Sequence, residues 1–200
     1  MPRTKEAFEA MRESTRGQIE TAALSLFARK GLAVTVDEIA RAAGLSKGLL
    51  YNHYPSKEAL IAELVWQATD TSSRNFKEIT HNNGSVSVKI QQISSMMCQM
   101  FSDQPIGIDY FMFMVQVGMS SFQVPETARH TDDMPNPIES LAHIIEQGQT
   151  EGSVVSGDTL QLSIVYWAAF QGLCCYAITG MPLTLDPKML SRVLLKESYL

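Results

Sequence analysis

Thr35-Val36-Asp37-Glu38-Ile39-Ala40-Arg41-Ala42-Ala43-Gly44-Leu45-Ser46-Lys47-Gly48-Leu49-Leu50-Tyr51-Asn52-His53-Tyr54-Pro55-Ser56-Lys57 is the stretch from which the fold can be read. Thr35 and Glu38 have the spacing of a capping box, in which the threonine hydroxyl accepts from the glutamate amide and the glutamate side chain reaches back. A short helix follows from about Val36 to Ala43. Gly44 closes it, because a tight turn needs a positive φ that glycine adopts without a Cβ penalty. Ser46 is an N-cap for a third helix ending near His53, since Pro55 has no amide with which to continue the ladder. Ser56 caps a fourth helix over about Lys57 to Thr80. Two short helices joined by a glycine turn have the geometry of a helix-turn-helix, though such pairs are common.

Upstream, Ile19, Ala22, Ala23, Leu26 and Phe27 recur at i, i+3, i+4, i+7 and i+8. That is one apolar face of a helix over Glu13 to Lys30, with Gly31 as its stop. Downstream, helical stripes cover Val86 to Phe101, Ile106 to Phe122, Pro137 to Gln149 and Asp158 to Thr179, and Asp186-Pro187 opens a last helix toward Ser198. The Ile106 segment is apolar nearly all round and predicts a buried central helix. No stretch alternates apolar and polar residues as a strand would. The fold class is all-α: a three-helix head within residues 13–72, its fourth helix a connector, on a larger helical body over 73–200.

Hydrophobic residues make up 45% of the 200, enough for a core. No apolar run is expected to reach the roughly 18–20 residues that span a bilayer, and the N-terminus has no apolar stretch of a secretion signal. A soluble cytoplasmic protein with no membrane partner is expected. Cys98, Cys174 and Cys175 lack metal or redox spacing and read as small core hydrophobes. His130, Asp132 and Asp133 stand in a proline-rich loop without ligand spacing and read as solvated rather than as a metal site. No metal and no cofactor are expected.

The net charge of −5 is unevenly spread. Residues 1–60 hold nine Lys and Arg against seven Asp and Glu, the rest seven against fourteen. A mildly basic head on an acidic body points to a local anion-binding face. The third helix sharpens this. Leu50, with Ile39 and Leu45, can hold it on the first helix, which leaves Lys47, Tyr51, Asn52, His53 and Lys57 as a donor-rich set ill suited to a core. Lysine can contact guanine O6 and N7, and asparagine can pair with adenine. Tyr, His and Lys groups suit phosphate oxygens, as do the amides opening the Lys57 helix. His53 also fits a simple cap, and the Tyr54 ring can pack on the first helix with its hydroxyl turned to a phosphate.

From about Thr15 to Leu64 the sequence resembles the TetR family of bacterial regulators. The resemblance rests on Ile19 to Gly31, Thr35 to Gly48, Leu50-Tyr51 and Tyr54-Pro55-Ser56-Lys57-Glu58-Ala59-Leu60 agreeing at once. It implies a helix-turn-helix over about residues 35–54, double-stranded DNA with a palindromic operator as partner, a DNA-facing set of Thr35, Lys47, Gly48, Leu49, Tyr51, Asn52, His53, Tyr54 and Lys57, and an effector-binding, dimerising body whose last two helices build a homodimer. Leu49 stands where the family often has threonine, which exchanges a hydroxyl contact for packing on a thymine methyl. Asn52-His53-Tyr54 replaces the commoner His-Tyr-Phe.

A small-molecule effector is expected among Met96, Met100, Tyr110, Phe113 and Trp167, because methionine-rich walls suit adaptable apolar binding. Gln116 and His143 are polar residues on otherwise buried faces that could orient it. The same stripes fit a plain core. No nucleophile elbow, phosphate loop or zinc-helix motif is present, so the reading is not an enzyme but a regulator, a repressor released by its effector. A regulator without an effector is the alternative.

Overall fold

The first helix is longer than its apolar stripe foretells. α1 spans Lys5–Lys30. Its added turns, Lys5 to Arg12, are built from strong helix formers and carry the exposed Lys5–Glu9 pair at 3.9 Å. The computed structural model describes residues 5–102, 106–123, 136–181, 183 and 185–200. The proline-rich loop with His130, Asp132 and Asp133 lies outside the described residues. Among those described, the further helices are α2 (Val36–Ala42), α3 (Lys47–His53), α4 (Lys57–His81), α5 (Val86–Ser102), α6 (Ile106–Met119), α7 (Pro137–Glu151), α8 (Thr159–Ile178) and α9 (Pro187–Ser191). Described residues include one isolated β-bridge and no strand.

The chain forms two compact units. The first joins the described residues up to Ala68 to those from Asp109 through 123. Its core is Ile19, Leu24 and Phe27 of α1, Ile39 of α2, Leu50 of α3, Leu60 and Leu64 of α4, and Phe113 and Val117 of α6. Phe27 and Phe113 stack with ring centroids 5.8 Å apart. Arg29 donates to both carboxylate oxygens of the buried Asp109, at 2.9 and 3.1 Å. A buried carboxylate demands such a partner. This grouping differs from a division at residue 72, because α6 supplies part of the core around α1 and α4.

The second unit joins the described residues from Thr69 to Ile108 to those from 136 to Leu200. α7 packs on α8, and α5 on α7 and α9. Ile90, Ile93, Leu141, Ile145, Phe170 and Leu194 form its core. Within it Tyr166 and Ser94 share a hydrogen bond of 2.8 Å, and Ser191 donates to Ser94 at 2.9 Å, so these buried hydroxyls satisfy one another. Burial raises the Tyr166 phenol above its ordinary range.

α7 carries Pro137 at its start and ends on Gly152 at φ 80°, the left-handed cap that glycine favours. Its Gly148 is constrained by space. A Cβ there would lie 2.3 Å from Val154 Cγ2 and 2.7 Å from Val86 Cγ1. Gly148→Ala is therefore expected to destabilise by about 1–3 kcal/mol through overpacking. Urea unfolding checks this, and an unchanged midpoint would refute the tight approach of α5 and α7.

Three expectations need correction. α9 has five residues and does not run to Ser198. The chain instead turns so that Val155 N donates to Leu194 O at 2.9 Å and Lys196 N to Ser153 O at 3.0 Å, burying Leu194 and Leu195. Cys98 and Cys174 are buried, and burial pushes the Cys174 thiol up to about 12, but Cys175 is exposed. Finally, α8 is long and apolar enough to cross a membrane by length and composition, and only 22% of the relevant window is buried within the chain. Scattered small and polar residues hide this from a search for an unbroken apolar run.

Candidate nucleic-acid interface

The helix-turn-helix forms as its caps dictate. Thr35 Oγ1 accepts from Glu38 N at 3.3 Å, and Glu38 Oε2 accepts from Thr35 N at 2.9 Å. The Thr35 amide first, then its hydroxyl, holds the Glu38 carboxyl below the usual carboxylate range. Gly44 sits at φ 71°, and Leu45 N donates to Ala40 O at 2.9 Å to complete the turn. Ser46 Oγ then caps α3 by accepting from Leu49 N at 3.2 Å.

Within α3 the buried residue is Leu50, seated in the core with Ile39 and Leu24. Lys47, Gly48, Leu49, Tyr51 and Asn52 all face outward, and His53 is half-buried. A Cβ on Gly48 would meet nothing within 4 Å, so its packing does not require glycine. Five outward positions on one short helix therefore combine an ammonium, a bare backbone, an apolar side chain, a phenol and an amide. This is a surface able to read base edges and phosphates together. His53 lines a 280 Å³ cleft with Glu9, Arg12, Glu13 and Arg16 of α1.

Other members of the expected set have different work. The Tyr54 ring is buried against the head core, as anticipated, but its hydroxyl does not face outward. It donates to Glu20 and accepts from Arg16 Nε at 3.1 Å. Burial first, then the Glu20 carboxylate, raises its phenol above the ordinary range. Arg16 also bonds Glu20 at 2.8 Å and pairs with Glu63. Gln67 donates to Glu63 at 3.2 Å, and Tyr110 to Gln67 at 2.8 Å. A polar chain thus runs from the end of α3 through α1 and α4 to α6.

Lys57 is also engaged within the protein. Its ammonium donates to the carbonyls of Leu32 and Val34 at 2.8 and 3.1 Å, and so ties α4 to the segment between α1 and α2. Helical register indicates which face a lysine leaves from, but not that unsatisfied carbonyls lie within its reach. The exposed Thr35 hydroxyl is engaged in its own capping box.

Asp37 was not among the expected residues. Its Oδ2 stands 2.9 Å from Lys47 Nζ. The sequence signal was available: opposite charges in the opening turns of two helices that a tight turn brings side by side.

The expected effector residues do not converge within one unit. Phe113 is core of the first unit, and Tyr110, half-buried with its phenol raised by burial, belongs there too. Gln116 packs beside Gly31, its Oε1 being 3.2 Å from where a Cβ on that residue would stand. Met96, Met100 and Trp167 are partly buried in the second unit, where Trp167 Nε1 donates to Pro137 O at 3.3 Å. His143 is not on a buried face. Its side chain is 79% exposed, 3.8 Å from Glu146.

Residues 19–64 match the family model described as bacterial regulatory proteins, tetR family. The chain is 34% identical over 79 residues to an HTH-type transcriptional repressor, KstR2, of Mycobacterium tuberculosis, covering 39% of this chain and 40% of that one. The matched stretch therefore spans less than half of that curated relative. Among solved structures, the ketosteroid transcriptional regulator KstR2 of M. tuberculosis superposes with a TM-score of 0.71 at 20% identity, covering 91% of this chain and 95% of that one. A gamma-butyrolactone receptor described as ArpA-like gives a TM-score of 0.69 at 19% identity, with coverage of 94% and 91%. At these identities the likeness shows the fold.

Proposed function

We propose, from the match of residues 19–64 to the tetR family of bacterial regulatory proteins, that the chain is a cytoplasmic, sequence-specific DNA-binding repressor and not an enzyme. It acts as a homodimer on a palindromic operator and is released by an apolar or amphipathic small molecule. The observation that carries the reading is the outward face of α3. Lys47, Gly48, Leu49, Tyr51 and Asn52 are exposed together on a helix anchored by Leu50. In this reading Lys47 and Asn52 read bases, Leu49 packs on a thymine methyl, and Tyr51 and His53 meet phosphates.

One recognition helix reads too few base pairs for useful affinity, and a two-fold dimer matches two half-sites about 34–36 Å apart or a multiple of this. The face of α8 supports the dimer. Leu160, Ile164, Val165, Ala168, Ala169 and Tyr176 are exposed along it, and a Cβ on Gly172 would meet nothing of its own chain within 4 Å. A second copy covering that stripe explains its composition without a membrane.

Met96, Met100 and Trp167 are the effector contacts that fit best, on flexible or amphipathic side chains. α6 supports a route from effector to DNA. It is one helix whose residues 106–108 group with the second unit and whose later residues belong to the head core. A ligand that prefers one α6 position by about 1–3 kcal/mol changes operator affinity roughly 5–150-fold.

Selection of bound duplexes from random DNA defines the operator and tests the reading. Lys47→Ala is expected to weaken operator binding by about 1–3 kcal/mol and to relax preference at one position. Tyr51→Ala is expected to weaken binding across sequences and lower the salt slope. If both variants hold the selected operator as tightly as the wild type in an anisotropy titration, the outward face of α3 is not the reading surface.

A further inference from the structure

The cations of the head are largely engaged by the protein itself. Arg16 pairs with Glu20 and Glu63, Arg29 with Asp109, Lys30 with Glu38, and Lys57 with two carbonyls. Lys47 is the lysine of the recognition helix, and it is held too: its Nζ lies 2.9 Å from Asp37 Oδ2. Both side chains remain half in solvent, at 50% and 58% exposure. This is a weak, exchangeable pair rather than a structural one. Asp37 is not needed to cap α2, since Thr35 and Glu38 form the complete capping box.

We propose that Asp37 is a specificity-determining residue, which keeps Lys47 on base edges and off the phosphate backbone. The inference rests on the DNA-binding reading above. An ammonium has three donors. One can stay on Asp37 while the others meet guanine O6 and N7 in the groove. A phosphate contact on arbitrary DNA competes with Asp37 for the ammonium and brings the carboxylate toward the phosphates, where like charges repel. Asp37 thereby opposes the sequence-independent part of binding more than the specific part. Because non-specific affinity is almost entirely phosphate neutralisation, one carboxylate acts directly on the ratio of the two.

The test compares wild type, Asp37→Asn, Asp37→Glu, Lys47→Ala and the Asp37→Asn/Lys47→Ala double variant. Each is titrated with the selected operator and with a random-sequence duplex across salt concentrations. One additional phosphate contact steepens the dependence of log affinity on log salt by about 0.9, or about threefold in affinity over a fourfold drop in salt. Asp37→Asn is expected to show that increase on the random duplex while operator affinity changes less than about twofold, so the specificity ratio falls. Asp37→Glu should restore the wild-type ratio, and the increase should vanish when Lys47 is already alanine. Unchanged random-duplex affinity and slope in Asp37→Asn overturn the proposal, as does an equal increase in the double variant, which would make Asp37 a general repulsive charge. A wild type that selects no sequence removes the DNA-binding reading and this inference with it; a wild type that selects one, with an unresponsive Asp37→Asn, removes the inference alone.

Discussion

Phe113→Ala is expected to destabilise the protein by about 3–5 kcal/mol, the range for truncating a buried aromatic ring. The ring is fully buried, stacks on Phe27, and shares its surroundings with Leu24 and Leu64. Truncation leaves a void bounded by α1, α4 and α6, and the anchoring of α1 by Arg29 and Asp109 limits how far these helices can collapse into it. Chemical unfolding followed by circular dichroism gives the value. A loss below about 1 kcal/mol, typical of a tolerant position, would contradict core packing and return Phe113 to the ligand-lining role its composition suggests.

The second large effect is on assembly. Val165 is 54% exposed on α8, so glutamate there leaves the single chain's own core intact. Across a two-fold interface the same charge would be buried twice against its symmetry mate, without a partner. Val165→Glu is therefore expected to turn a dimer into a monomer at micromolar concentration in light scattering. Losing the second head removes an avidity of about 10²–10⁴, so operator binding should weaken at least about a hundredfold. A variant that stays dimeric places the interface elsewhere. A wild type that is monomeric, or that stays dispersed only in detergent, would mean the α8 stripe faces something other than a second copy.

Local chemistry was the legible part of this chain. Thr35 with Glu38, Gly44, Ser46, Pro137 and Asp186 each mark a cap or turn that the structure contains, because a cap depends on neighbours a few residues away. Leu50 and Ile39 were recognisable as core for the same reason. The failures concern which element meets which. Periodicity shows that Phe113 and Tyr110 leave one face of a helix, but not that α1 and α4 receive that face. His143 sits among apolar neighbours in sequence, yet its register turns it to solvent. Lys57 is separated by more than twenty residues from the carbonyls it bonds, and the charge partners of Arg16 and Lys47 depend on how helices cross. α9 stops early because Leu194 and Leu195 are drawn to Val154 and its neighbours, a pairing across forty residues that no local pattern announces.

The place of α6 in the head bears on how such a protein can be divided or recombined. The first eighty-odd residues contain every feature by which the motif is recognised, yet they do not contain everything that closes its core. Cut from the rest, they would present Phe27 and the neighbouring leucines of α1 and α4 with no ring to cover them, and Arg29 with no carboxylate to receive it. Joined to a foreign body, they would need a replacement for Asp109, Phe113 and Val117 at matching heights along one helix. The boundary at which this head could be exchanged between proteins is therefore not a point on the chain but a surface, and a graft succeeds only when both sides of that surface travel together.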